Sequence, residues 1–252
     1  MLRQFKRTRL MCALRAGVIS VAVPILTANA TSITVPNFSF ESPALLNGTN
    51  NNGGNGDTTA IPGWTISAPP SSGINNGVYH PASGFTSTNP LPAPADGNQL
   101  AYLFPGAAGA TSSITTTNSL GLIAPNLDYT LTVALGNRND VLFFDTGTYT
   151  IALLANGVPI AQTNFAGNLI SHGTFVDVST SFVSPGFGSL IGESLTIELS
   201  ATAGGFGSDE GIFDNVRLSA SSVPDTGSTF ALLLLSLTAL FSAPRFRSHS
   251  LA

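Results

Sequence analysis

Few residues of this 252-residue chain are suited to bond-making chemistry. It has no Gly-x-Ser-x-Gly turn and no His-Glu-x-x-His motif, and its single cysteine, Cys12, lies near the amino terminus. Between residues 31 and 222, the only histidines are His80 and His172. These absences argue against serine-hydrolase, zinc-protease and thiol chemistry. Carboxylates and aromatic side chains remain as the candidates.

Two carboxylates, Glu41 and Asp214, stand near the two ends of this central region. In a β-sandwich whose first and last strands are neighbours, the pair would share one cation, and oxygen ligands of this kind suit Ca²⁺. Two carboxylates are also the minimum for a glycosidase. The alternative is that both side chains accept backbone N–H groups or cap strand ends.

Two further acidic pairs, Asp140 with Asp145 and Asp209 with Glu210, offer oxygen ligands for a second cation at a sandwich rim. Neither pair has the regular ligand spacing of an EF-hand loop. Solvated loop charge is therefore the simpler interpretation of both.

Carbohydrate binding needs aromatic rings for stacking and a few polar groups for the sugar hydroxyls. Trp64, the only tryptophan, stands in a turn that enters a strand, where a core position is the alternative. For Arg138 the alternative is neutralisation of Asp140 or Asp128. The predicted ligand-binding residues are Trp64, Tyr79, His80, Tyr102 and Arg138.

The central region shows strand periodicity and no helical one. Residues 129–135 and 148–154 alternate apolar and polar side chains, and the second run ends at the tight-turn pair Asn156-Gly157. This pattern predicts an all-β fold, an antiparallel β-sandwich of the jelly-roll, galactose-binding-like type. Further strands are predicted at 99–104, 112–116, 158–165, 174–182, 194–201 and 212–219, with long polar loops at 47–59 and 68–94.

The amino terminus has the features of a secretory signal peptide. Five of the nine basic residues precede the apolar stretch 16–26, which ends in Ala28-Asn29-Ala30. This order predicts a signal helix in residues 1–30 and cleavage by signal peptidase after Ala30. A retained amino-terminal anchor is the alternative. Cleavage would remove Cys12, so the exported chain would contain no disulfide.

The charge balance of the central domain, residues 31–222, is strongly acidic. Residues 31–223 contain two basic and twelve acidic side chains, so their net charge is 2 − 12 = −10. This balance is compatible with Ca²⁺ and poorly suited to phosphate backbones. We therefore expect no nucleic-acid partner.

The carboxyl terminus, residues 223–252, is predicted to be a sorting or anchor segment. Val223, Pro224, Asp225, Thr226 and Gly227 precede an apolar run at 230–243, followed by Arg245 and Arg247. This segment resembles the PEP-CTERM tails of Gram-negative bacteria, in the VPDSG variant with Thr226 in place of Ser. The resemblance implies processing by an exosortase. A plain membrane anchor and a buried core helix are the alternatives.

The central domain carries a second resemblance. Val35–Glu41 at the first strand, Ile61–Trp64, Gly136–Arg138 and Phe213–Leu218 at the last strand resemble jelly-roll carbohydrate-binding modules and the Stig cyclases built on that fold. The modules imply a structural Ca²⁺ held by Glu41 and Asp214. The cyclases imply that Asp214, with Tyr102, protonates and rearranges an indole-isonitrile terpenoid.

The sequence thus favours an exported, exosortase-sorted protein of the cell surface, outer membrane or extracellular matrix. Its favoured role is non-catalytic, with binding of an extracellular polysaccharide and transient or retained membrane anchorage through 230–243. The alternative is a Stig-cyclase-like or glycosidase-like enzyme that uses Asp214 as its acid.

Overall fold

The computed structural model describes residues 30–46, 49–50, 60–67, 76–81, 91–139, 144–205 and 210–223. These residues form twelve β-strands and one short 3₁₀ helix, Gly167–Leu169. The strands are β1 Ala30–Ile33, β2 Thr49–Asn50, β3 Trp64–Ser67, β4 Asn76–His80, β5 Leu100–Leu103, β6 Thr111–Thr116, β7 Leu127–Asn137, β8 Thr148–Ala155, β9 Val158–Ala166, β10 Thr174–Val183, β11 Leu195–Thr202 and β12 Gly211–Ser222.

The strands build two antiparallel sheets. The seven-stranded sheet has the order β10-β7-β12-β5-β4-β2, with β1 also paired to β12, and the five-stranded sheet has the order β3-β6-β11-β8-β9. This confirms the predicted all-β sandwich of the jelly-roll type. The predicted signal helix and the carboxyl-terminal apolar helix lie outside the described residues. The predicted polar loops 47–59 and 68–94 were wrong in part, because β2 lies within the first and β4 within the second, and their residues 51–59, 68–75 and 82–90 are not described. Among those described, no helix is long and apolar enough to cross a membrane.

The predicted strands agree with the structure wherever a period of two was visible. Residues 129–135 lie inside β7, and β8 and β9 are joined at Asn156 and Gly157. Both turn residues have positive φ, +46° and +78°, as a tight hairpin of right-handed twist requires.

The placement of Val35–Glu41 at the first strand was wrong. The first strand is β1, and residues 36–39 form a turn in which Phe40 donates its N–H to the Asn37 carbonyl at 3.0 Å. Asn37 and Phe40 have positive φ, and Pro36 has no N–H for a strand ladder. The Asn37 side chain bonds both the N–H and the carbonyl of Ser42, which stabilises the turn.

The core between the sheets is centred on aromatic rings. The Tyr149 ring lies 4.5 Å from that of Phe144 and 5.2 Å from that of Phe213, measured between centroids. Its hydroxyl donates to the Gly136 carbonyl and accepts the N–H of Ile212 at 3.1 Å. Because Tyr149 is on β8 and its partners are on β7 and β12, this side chain ties the two sheets together.

Candidate functional site

The outer face of the seven-stranded sheet carries an apolar cluster that is separate from the core. Asp214 lies two residues beyond Ile212 on β12 and pairs with Ala134 of β7. Its side chain therefore points to the same face of the sheet as the side chain of Ile212. We call this surface the acid face. Its apolar members are Leu91, Leu100, Tyr102, Ala134, Phe175 and Ile212, with Tyr79 and Ala95 packed against them.

Asp214 is a fully buried carboxyl group, with an exposed fraction of 0%. Burial raises its pKa well above the ordinary value, and the nearby charges of Asp96 and Glu41 act in the same direction. The N–H of Asp96 reaches Oδ2 at 2.8 Å and that of Asn215 reaches Oδ1 at 2.7 Å, and both bonds oppose the increase. The raised pKa favours the protonated acid.

These surroundings equip Asp214 for general acid chemistry. The raised pKa lets Asp214 keep its proton to a higher pH than an ordinary aspartate, which favours a general acid that works beside apolar side chains. The two N–H donors stabilise the carboxylate that remains after the proton has left. The same group is therefore able to give up a proton and to take one back.

Tyr102 brings a hydroxyl group to the acid face. Its side chain is on β5, whose residue pair Ile212–Tyr102 places it beside β12, and only 3% of the residue is exposed. Its Oη has no hydrogen-bond partner among the described residues. Burial, followed by the negative charge of Glu210, raises the pKa of this hydroxyl, and Arg138 acts in the opposite direction. A buried and unpaired hydroxyl is a ready donor to a ligand atom.

An ion pair lies beside Tyr102. The Arg138 Nη1 and Glu210 Oε1 atoms are 2.7 Å apart, and the two side chains are 12% and 5% exposed. The guanidinium carbon also lies 5.1 Å from the centre of the Tyr79 ring, which meets the Tyr102 ring edge-on at 6.4 Å. The predicted residues Tyr79, Tyr102 and Arg138 therefore do come together, with Glu210 as a fourth member.

The segment 91–99 covers part of the acid face. Glu41 Oε1 accepts the N–H groups of Asn98 and Gln99, each at 2.7 Å. The Asn215 side chain donates to the Pro94 carbonyl at 2.7 Å, and Asp214 holds the N–H of Asp96. Glu41 and Asp214 thus bind the same segment through its backbone, which is the alternative role that the sequence left open for them.

The fit of these carboxylates to Ca²⁺ differs between the two. Glu41 is exposed, and among the described residues its Oε2 accepts no hydrogen bond, so it suits a cation. Both oxygens of Asp214 already accept N–H groups, and its raised pKa favours the neutral acid. Within the described residues, no three Asp, Glu, His or Cys side chains form a metal-binding group. Calcium at Glu41 remains a prediction.

Trp64 does not join the acid face. It is 4% exposed in the core, its ring lies 5.6 Å from that of Phe40, and its indole N–H donates to the Pro36 carbonyl at 3.0 Å. The prediction of an exposed stacking ring at this position is corrected, because a ring enclosed between two sheets offers no face to a sugar. His80 ends β4, and its Nδ1 lies 2.8 Å from the Leu45 carbonyl.

The remaining acidic candidates lie elsewhere. Asp145 accepts a hydrogen bond from Asn137 at 2.8 Å and lies 2.9 Å from His172 Nε2. Desolvation raises the pKa of Asp145. The hydrogen bonds from Asn137 and His172, together with the His172 charge, outweigh it and lower this pKa below its ordinary value. Asp140 and Asp209 lie outside the described residues.

A model of a known protein family matches most of this chain. The family model described as HpiC1 cyclase (HpiC1-like) matches residues 31–219. This chain belongs to the HpiC1-like family. Within this family member, the acid face is the surface where a buried acid, a buried phenol and apolar side chains meet. No functionally curated protein matches the chain.

Solved structures of cyclases resemble this HpiC1-like protein along their whole length. The Stig cyclase Fisc from Fischerella sp. TAU, in complex with (3Z)-3-(1-methyl-2-pyrrolidinylidene)-3H-indole, is 26% identical with a TM-score of 0.64, over 77% of this chain and 100% of that one. A cyclase from Fischerella sp. TAU in complex with 4-(1H-indol-3-yl)butan-2-one is 27% identical with a TM-score of 0.61, over 77% and 98%.

A second family model, the VPDSG-CTERM motif, matches residues 222–245. This confirms the predicted resemblance of the tail, which contains Val223, Pro224, Asp225, Thr226 and Gly227. The motif is a sorting signal of exported, envelope-associated proteins that is processed by exosortase-like machinery. The HpiC1-like domain of this chain therefore ends where a sorting segment begins.

Glu210, Phe175 and Asp96 are among the residues at the acid face that were not predicted as site residues. Glu210 was considered only as a loop ligand, Phe175 only as part of a strand, and Asp96 not at all. Each reaches the face through a contact distant in sequence, and Glu210 is 72 residues from Arg138. The alternation of β10, in which Phe175 is buried between exposed Thr174 and half-buried Val176, was the one local signal.

Proposed function

We propose that this protein is an exported cyclase of the Stig type, in which Asp214 is the general acid. The observation that carries the proposal is the burial of a carboxyl group with a raised pKa on an apolar face, in a chain of the HpiC1-like family. The substrate class is an electron-rich, largely apolar indole terpenoid. The preferred interpretation thus moves from a non-catalytic surface protein to an enzyme.

The reaction would be an isomerisation. Asp214 transfers its proton to a carbon–carbon double bond of the substrate, and the carbocation is attacked by another carbon of the same molecule, which forms the ring. The product then loses a proton to the Asp214 carboxylate, so substrate and product have the same mass. The N–H groups of Asp96 and Asn215 stabilise the carboxylate between the two transfers.

Tyr102 would orient the substrate in this scheme. Its hydroxyl lacks a partner among the described residues and lies on the same face as Asp214, where a polar substrate atom would satisfy it. The apolar wall of Leu100, Ala134 and Ile212 would exclude water from the cation.

The test uses the full chain with an indole-isonitrile terpenoid in D₂O. We expect a product of altered retention that carries deuterium from the solvent, and its loss by at least about a hundredfold in Asp214→Asn. Glu198→Gln, which removes a carboxylate from the five-stranded sheet, should retain the activity. Unchanged substrate and no deuterium in the wild-type reaction would remove the cyclase proposal.

We further propose that the chain is cleaved after Ala30 by signal peptidase and that an exosortase processes the tail. Deletion of residues 224–252 should release the domain from the cell envelope. The deletion begins after the last residue of β12, so the sheets keep all their strands. Unchanged cell association of the deleted form would contradict this part of the proposal. A glycan array with the same protein tests the polysaccharide-binding alternative.

A further inference from the structure

One end of the sandwich exposes an unusual share of the large apolar side chains. β12 ends there at Ser222, which pairs with Leu127, the first residue of β7, and β1 begins there at Ala30. We call this the tail end. Its exposed apolar residues are Leu122 at 65%, Val158 at 64%, Val183 at 57%, Phe187 at 89% and Val223 at 37%.

The loops that carry these side chains are fixed by backbone hydrogen bonds. Residue 126 accepts the N–H of Val223 at 3.1 Å, and Ser184 donates to the Leu127 carbonyl at 2.8 Å. The neighbouring loop is held by the bond from Ile123 to the Glu193 carbonyl at 2.9 Å. The exposure is therefore built into the fold of this end of the domain.

Phe187 projects furthest from the domain. It stands between Gly186 and Gly188, and Pro185 precedes the first glycine. A phenylalanine left 89% exposed gains nothing from the fold, and exposed apolar groups of this kind mark surfaces that meet a partner or a membrane.

An apolar groove lies at the same end. It encloses about 480 Å³ between β1, β12 and the 120–127 loop. Its lining is formed by Thr31, Ile33, Leu120, Gly121, Leu122, Ala124, Leu127, Tyr129, Leu195, Ala220 and Ser222. The charged side chains of the described segments around it are Asp128 and Glu193, so this described part of the surface has no basic group to attract anionic lipid.

The chain itself indicates what covers this surface. The described domain ends at Val223, and the apolar run begins at residue 230. Seven residues span at most about 25 Å when fully extended. A linker of this length holds the tail end within about 25 Å of any bilayer that contains the apolar run.

We propose that the tail end is a membrane-contacting surface, in which Phe187 and Leu122 enter the interface of a zwitterionic bilayer. The acid face then lies along the side of the domain, and Asp214 is held away from the lipid. Along β12, Asp214 is eight residues from Ser222, which corresponds to about 26 Å. The domain would stand on the bilayer with its site at the far end.

The experiment measures the depth of single positions in the membrane. Cys12→Ser gives a chain without cysteine, to which Leu122→Cys, Phe187→Cys or Leu169→Cys is added for labelling with a fluorophore. Leu169 is the matched control, because it is 66% exposed and follows β9 at the opposite end of the sandwich. The vesicles contain phosphatidylethanolamine and phosphatidylcholine, with a fraction of nitroxide-bearing lipid as quencher. A label at residue 234 reports that the tail is inserted.

We expect the nitroxide lipid to quench labels at 122 and 187 several-fold more strongly than the label at 169, given an inserted tail. Equal quenching at all three positions would overturn the proposal. Labels at 122 and 187 that become shielded without lipid, in proportion to protein concentration, would also overturn it, because a second copy of the chain would then cover the surface.

Discussion

Asp96 donates its backbone N–H to Oδ2 of Asp214 at 2.8 Å, across 118 positions of sequence. The buried acid is therefore also the attachment point of the segment that covers it. Any change of charge on Asp214 alters both its readiness to give up a proton and its hold on this cover. Stability and function of the acid face should depend on the same carboxyl group.

The first prediction concerns the pH dependence of stability. The unfolded chain ionises Asp214 near its ordinary pKa of 3.8, whereas the folded chain holds the proton to higher pH. The native state then binds more protons, so the free energy of unfolding falls as pH rises from about 4 to the folded pKa, by at most about 1.4 kcal/mol per pH unit.

Asp214→Asn should remove this contribution while keeping the shape of the side chain. Urea denaturation of both proteins across this pH range measures the difference, and parallel curves would contradict the raised pKa. The variant should stay folded at neutral pH, where it avoids burial of a charge.

The second prediction separates stability from function at Tyr102. Its hydroxyl has no hydrogen-bond partner among the described residues. Tyr102→Phe should therefore leave the free energy of unfolding unchanged or raise it by about 1 kcal/mol. If the hydroxyl binds substrate, KM should rise in the same variant. A clear loss of stability would mean that the hydroxyl is already paired within the protein.

The third prediction concerns the ion pair of Arg138 and Glu210. Both side chains are nearly enclosed, and removal of one charge leaves the other buried. Arg138→Met should cost about 3 kcal/mol of unfolding free energy. The double variant with Glu210→Gln should cost less than the sum of the two single variants. Denaturant melts of the four proteins give the coupling energy, and additive losses would show that the two charges act independently.

The fourth prediction concerns the segment 91–99, which covers part of the acid face. Glu41 accepts two N–H groups through one oxygen, so Glu41→Gln should weaken both bonds and cost about 1 to 2 kcal/mol. Hydrogen exchange at the amides of Asn98 and Gln99 should accelerate in this variant. Glu198→Gln is the control for loss of a negative charge, and equal exchange in both variants would argue against the role of Glu41.

The fifth prediction tests calcium at Glu41. If Glu41 binds Ca²⁺ as proposed, the ion raises the melting temperature of the native protein, and EDTA reverses the effect. Glu41→Gln should lose most of the Ca²⁺-induced increase in melting temperature. Asp214→Asn should keep this increase, because Asp214 favours the protonated acid over a carboxylate that binds a metal. No heat in a Ca²⁺ titration, together with no effect of EDTA, would remove the metal.

The sequence predicted what depends on local pattern. Alternation over residues 129–135 identified β7, and the Asn156-Gly157 pair identified the β8–β9 turn. The choice of Asp214 and Tyr102 also located two members of the acid face. That choice came from family resemblance, since no spacing along the chain places residue 102 opposite residue 212.

Contacts between side chains on different strands left no pattern in the neighbouring sequence. Neutralisation of Asp140 or Asp128 was the alternative to ligand binding for Arg138. Asp128 lies at the opposite end of β7, about 30 Å away, and the described ion pair of Arg138 is with Glu210. The Trp64 ring was a candidate for an exposed platform because composition does not tell which side of a strand faces the second sheet. Both questions depend on the packing of the two layers.

β12 begins next to the acid and ends next to the sorting motif. Because all the pairing of this strand lies before Val223, a cut within residues 224–229 would detach the domain without breaking a hydrogen bond of either sheet. If the domain is the proposed cyclase, the anchored and released forms would therefore have identical catalytic properties. Processing of the tail would control where the reaction takes place, at the envelope or in the surrounding medium, and would leave its rate unchanged.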